Sequence, residues 1–132
     1  MNPVVHFEIP YENGDRIAKF YQNVFGWQIK KLGIFMGNYI LATTVEPDHK
    51  EDKGGHPKLA GGINGGFYPK SSDKPQQYPS IVIAVENIEE SMKNVIKEGG
   101  KVLGEPMDVP TVGRYVSIVD TEGNRVSMLQ PS

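Results

Sequence analysis

An α+β fold built from two strand–helix–strand–strand–strand modules is predicted by two observations and a third that supports them. The stretch Val4–Trp27 changes its hydrophobic period from two to 3.6. The same stretch returns 74 residues later, and Asn and Gly punctuate both copies at matching places. A twofold repeat of one supersecondary unit is a far more specific signal than a single copy.

In the first copy, Val5, Phe7 and Ile9 alternate with His6 and Glu8, the pattern of a half-buried strand. From Ile17 the apolar residues Ile17, Phe20, Tyr21, Val24 and Phe25 follow the spacing of one helix face. Asn13 suits the N-cap, Asp15 adds a negative charge in the first turn, and Gly26 stands where a left-handed C-cap belongs. A second strand is expected at Gln28–Lys31, a third at Ile34–Met36 and a fourth at Tyr39–Val45, with Gly37-Asn38 as a turn pair. Glu46–Lys58 is polar and nearly without apolar residues, and reads as a solvated loop. A metal loop on His49, Asp52 and His56 is the sharper alternative, but little apolar anchorage is present to hold three ligands in one geometry. Gly61-Gly62-Ile63-Asn64-Gly65-Gly66-Phe67 is no phosphate loop, because Gly66 runs on to Phe67-Tyr68-Pro69 and not directly into a Lys-Ser or Lys-Thr pair. Glycines there indicate either a tight turn or a strand that something approaches closely.

One domain covers residues 1–132, with module one at about 3–68, a linker at 69–79 and module two at 80–132. Ser80 aligns with His6, Asn87 with Asn13 and Gly100 with Gly26, each 74 positions on. Asn87 with Glu90 forms a capping-box pattern, and Ile88, Met92, Val95 and Ile96 form the second helix face. Strands are expected at Lys101–Glu105, Arg114–Asp120 and Arg125–Gln130, with Thr121-Glu122-Gly123-Asn124 as the last turn.

Composition excludes several function classes. There are no cysteines, so disulfides, thiolate metal sites and cysteine nucleophiles are absent. A formal net charge of −2 supplies no electrostatic reason to expect nucleic acid or an anionic membrane as partner. No run approaches the length of a membrane span and no basic segment precedes an apolar core at the N-terminus, so the expectation is a cytoplasmic soluble domain.

The first stretch, from His-Phe-Glu-Ile through Phe-Tyr-Gln-Asn-Val-Phe-Gly-Trp, resembles the vicinal-oxygen-chelate superfamily. So do Val85-Glu86-Asn87, Gly99-Gly100-Lys101-Val102, Pro110 with Gly113, and Asp120-Thr121-Glu122-Gly123-Asn124. That superfamily includes glyoxalase I, extradiol dioxygenases and the fosfomycin- and bleomycin-resistance proteins, and the resemblance is closest to its glyoxalase-related members of unassigned activity. It implies eight strands in a curved mixed sheet around a cavity, usually in a homodimer. In metal-dependent members four side chains hold a divalent ion. Carried over, the first ligand falls on His6, fifteen residues before Tyr21. The others fall on Ser80, on Ser127 and within Tyr39–Thr44, which has no His, Asp or Glu. Serine hydroxyls are poor ligands for first-row divalent metals, so no metal and no other cofactor is expected.

The expected ligand-binding residues are His6, Glu8, Tyr39, Asn64, Phe67, Ser80, Arg114, Tyr115 and Ser127. His6 and Glu8 point the same way on one strand, so the carboxylate is placed to orient the imidazole for general-base work. A satisfied buried pair is the plainer reading. Arg114 offers a bidentate clamp for a ligand carboxylate or phosphate; a surface arginine beside a core tyrosine is its plain counterpart. Two functions follow: a metal-free binder of an organic ligand held in the cavity between the modules, or a lyase or isomerase related to lactoylglutathione lyase that uses His6 and Glu8 without the metal.

Overall fold

The computed structural model describes residues 1–45 and 61–132. These residues form eight strands, mixed parallel and antiparallel, with two α-helices, which is the predicted α+β class. The chain divides into two compact units, His6–Asp73 and Lys74–Ser132, the latter also taking in Met1–Val5. The predicted loop with His49, Asp52 and His56 lies outside the described residues.

In the first unit the elements are β1 (Val4–Tyr11), α1 (Gly14–Phe25), β2 (Gln28–Lys31), a 3-10 turn (Ile34–Met36), β3 (Ile40–Thr43) and β4 (Gly65–Pro69). Their strand order is β2-β3-β4-β1, with β4 parallel to β1 and antiparallel to β3. Asn13 caps α1 by accepting from the Arg16 amide, and Gly26 ends it at φ 72°, where a left-handed backbone favours glycine. One strand differs from expectation. Ile34–Met36 forms a 3-10 turn, closed by the Gly37 amide on the Ile34 carbonyl, and the fourth strand is Gly65–Pro69. The glycine-rich stretch is therefore a strand, packed where neighbours crowd its backbone.

The core of this unit is Ile40, Ala42 and Phe67, packed against Phe7, Ile9, Tyr11, Ile17, Tyr21, Trp27 and Ile29. Phe67 is completely buried, and Trp27 stacks on Tyr21 with ring centroids 4.6 Å apart. The α1 stripe is only partly used. Ile17, Ala18 and Tyr21 pack inward, while Phe20, Val24 and Phe25 remain 54–60% exposed. At about 100° per residue Phe20 and Val24 fall on the flank away from Ala18, and Phe25 lies in the helix's last turn.

The second unit contains β5 (Ser80–Ala84), α2 (Ile88–Lys97), β6 (Lys101–Val109), β7 (Gly113–Val119) and β8 (Arg125–Pro131), in the order β5-β8-β7-β6. Its core is Val85, Ile88, Val116, Ile118 and Met128, with Met92 and Val95 of α2 laid against it. Asn87 accepts from the Glu90 amide as predicted, and Gln130 of β8 accepts from the Ile88 amide. The helix ends sooner than its counterpart, so the left-handed residue is Gly99 (φ 94°) rather than Gly100. Asp120 organises the last turn by accepting from the Glu122 and Asn124 amides and the Asn124 side chain.

Candidate functional site

In each unit the helix covers one sheet face, and strand alternation sends polar side chains to the other. In the first unit Phe7 and Ile9 lie in the core, so His6 and Glu8 lie on the face away from α1. The register sets Glu8 beside Gly66, and Gly66 beside Leu41. The ring of Tyr39 lies over Gly66: a Cβ there would stand 2.2 Å from its hydroxyl and 2.2 and 2.3 Å from two ring carbons. The missing side chain is thus what seats Tyr39, whose hydroxyl then meets His6 Nε2 at 2.9 Å. The two rings are close to parallel, with an interplanar angle of 19°.

Burial lowers the His6 pKa from its ordinary value, because the imidazolium would lose hydration there. The imidazole is neutral at neutral pH. In the tautomer carrying its proton on Nδ1, Nε2 accepts from the Tyr39 hydroxyl. Glu8 is 8% exposed and is itself engaged. A neutral imidazole beside a phenol can orient a ligand oxygen or relay a proton.

In the second unit the face away from α2 carries Ser80, Val82, Tyr115, Ser117, Arg125 and Ser127, since Val82 and Ser117 both register with Ser127. Tyr115 Oη is 2.6 Å from Ser127 Oγ, which is 3.2 Å from Ser117 Oγ. Arg125 Nη2 donates to Ser117 Oγ at 3.3 Å, and its Nη1 donates to the Pro75 carbonyl at 3.2 Å. Ser127 is 2% exposed.

Three expected residues lie elsewhere. Phe67 is buried in the core beneath α1, where the Ile40–Phe67 register fixes it. Asn64 accepts through one oxygen from the Thr44 and Val45 amides at 2.8 and 3.0 Å, holding two chain segments together. Arg114 lies on the opposite face from Tyr115, as neighbours on a strand must, and reaches Glu89 of α2 at 2.8 Å and Asp108 at 3.4 Å. Sequence reasoning missed Ser117 and Arg125. The signal was available in the two-residue spacing that puts Arg125 on the same face as Ser127, and Ser117 on that of Tyr115.

The donor set does not fit the divalent ion of the metal-dependent superfamily members. Of the implied positions only His6 carries a ligand-type side chain, Ser127 is engaged with Tyr115 and Ser117, and β4 presents Gly66 and Tyr68 on the His6 face. Among the described residues no three His, Asp or Glu side chains come together. A separate depression of about 400 Å³, lined by Tyr11, Gly14, Lys31, Asn38 and Ile40 among others, contains none of the expected residues. The two charges at its edge, Lys31 and Asp15, pair with each other.

Comparison with known proteins agrees with this fold. A Didymella fabae protein described as a glyoxylase-like domain-containing protein is 31% identical over 120 residues, covering 89% of this chain and 84% of the relative. The chain spans 26% of the length of CFP32 from Mycobacterium bovis, which it matches at 29% identity over 70 residues. Among solved structures, Streptomyces coelicolor methylmalonyl-CoA epimerase in complex with 2-nitronate-propionyl-CoA superposes with a TM-score of 0.66 at 13% identity, over 98% of this chain and 96% of that one. A superfamily member from Vibrio splendidus 12B01 gives 0.62 at 13% identity, over 98% and 99%. Likenesses at that identity establish the fold. The family model matches residues 4–128, and the chain belongs to the Glyoxalase/Bleomycin resistance protein/Dioxygenase superfamily.

Proposed function

We propose that this protein is a metal-free small-molecule-binding member of its superfamily, and that an organic ligand docks on the polar sheet face of the first unit beside His6 and Tyr39. One observation carries the reading. His6 is a half-buried neutral imidazole held by Tyr39, which a glycine at position 66 has made room for. Such preorganisation reduces the ordering cost of binding. His6 and Tyr39 offer the ligand one acceptor-or-donor nitrogen and one hydroxyl, with Glu8 on the same face.

A second reading is supported by the lowered His6 pKa. A neutral imidazole is the active form of a general base, so a lyase or isomerase that abstracts a proton through His6 is compatible with the same residues. We further read the protein as a cytoplasmic homodimer. β2 and β6 end the strand orders of their units, and natural proteins cover such edges. No helix among the described residues is long and apolar enough to cross a membrane.

The test combines elemental analysis of purified protein with thermal-shift screening of an organic ligand panel. Stabilisation reports binding by mass action, without requiring turnover. We expect metal at background in the wild type and in His6→Ala, and ligand stabilisation that His6→Ala removes. About one zinc, nickel or manganese per chain, lost in that variant, overturns the metal-free reading. Turnover of a stabilising ligand, abolished in His6→Ala, selects the enzyme reading over simple binding.

A further inference from the structure

Two arginines flank the β7–β8 hairpin, and their surroundings differ in charge. Arg114 is neutralised by Glu89 and Asp108. Arg125 has no carboxylate within ion-pair distance among the described residues. Its guanidinium is held by one carbonyl, Pro75 O, and one hydroxyl, Ser117 Oγ, both neutral. A half-buried cation fixed in place without an acidic partner is electrostatically incomplete.

The groups beside it are hydroxyls. Ser117, Ser127 and Tyr115 form a chain of three joined by two hydrogen bonds, so one of the three hydroxyl protons is directed outside that chain. Arg125 donates into Ser117, and in each of the two hydroxyl contacts either oxygen can be the donor, so the chain can turn its protons to suit what it meets. Arg125 is also prevented from swinging away. Pro75 O takes one nitrogen, and the neighbouring Gln76 side chain donates to the Gly123 carbonyl at 2.7 Å, tying that segment to the hairpin.

We propose that Arg125, with Ser117 and Tyr115, is an anion site, and that the ligand it takes is a small organic carboxylate. A guanidinium fork matches a carboxylate's two oxygens, and a single positive charge balances a monoanion better than the charge of nearly two on a phosphate. The inference rests on the ligand-binding reading above and names the ligand class. Arg114, the other arginine of these strands, is already paired with Glu89 and Asp108.

The experiment is an amide-detected NMR titration of the full chain with benzoate, its neutral analogue benzamide, and inorganic phosphate. Benzoate is expected to shift the Ser117, Arg125 and Ser127 amides saturably, with benzamide and phosphate each weaker by about tenfold or more, the loss anticipated for a charge-assisted contact. Arg125→Gln is expected to weaken benzoate by a similar factor, Arg125→Lys to recover part of the loss because charge is kept and the fork is not, and Arg114→Gln to leave binding unchanged. Equal binding of benzoate and benzamide at these amides, tighter binding of phosphate, or a folded Arg125→Gln that still prefers benzoate overturns the proposal. Should Arg125→Gln fail to fold, the wild-type comparison of benzoate with benzamide and the Arg125→Lys affinity decide it. If neutral ligands shift the His6 and Tyr39 amides while benzoate leaves Arg125 unmoved, the carboxylate site fails and the binding function stands. If no organic ligand shifts either set, both fail.

Discussion

Tyr39 occupies the space that a side chain at residue 66 would fill, with its hydroxyl 2.2 Å from the position of an added Cβ. The atoms in the way are the far end of a ring, so the ring must move rather than the backbone. Gly66→Ala is expected to cost about 1 kcal/mol, at the low end of overpacking substitutions, and to break the Tyr39–His6 hydrogen bond. Urea denaturation measures the first effect. The His6 ring resonances in the variant measure the second, and unchanged resonances would refute the seat.

Phe67 is expected to act through stability. Phe67→Ala removes a completely buried ring between α1 and the sheet, a loss of about 3–5 kcal/mol. Phe67→Leu keeps most of the volume, so it should lower the unfolding midpoint less and leave ligand affinity unchanged. Calorimetry of binding to the Leu variant checks this, and a large affinity loss in a folded protein would return Phe67 to the ligand site.

Asn64 is expected to matter for the same reason. Its oxygen serves two backbone amides, Thr44 and Val45, that a truncation would leave without it. Asn64→Ala should cost about 1–3 kcal/mol, the range for an unsatisfied buried donor, read as a lower midpoint in thermal or urea unfolding with ligand selectivity preserved.

Acid should destabilise the first unit through His6. Its folded pKa lies below the unfolded value of 6.5, so the unfolded chain binds the proton more readily. The His6 contribution is therefore fully present above pH 6.5, begins to fall as pH drops through that value, and is gone below the folded pKa. Stability measured by urea unfolding at pH 7.5 and across this window should decline less in His6→Gln than in the wild type. Equal slopes would mean that His6 is not desolvated.

The sequence by itself determined the elements whose cause is local. The period change at Ile17 and the caps Asn13 and Asn87 each depend on residues within a few turns of chain, and the helices form where they indicate. Alternation placed His6 with Glu8 for the same reason. Tertiary structure decided the rest. Ile34–Met36 has strand-like composition but closes as a 3-10 turn between Gly33 and Gly37, and the glycines at 65 and 66 become a strand because β1 and β3 pair with them. Asn64 and Phe67 look alike as polar-and-aromatic punctuation until register sends one to backbone amides and the other to the core. Arg114 and Arg125 are both strand arginines in sequence. Only the packing of α2 brings Glu89 to the first and leaves the second with Ser117 and Pro75, because an ion pair depends on which charges folding brings within reach.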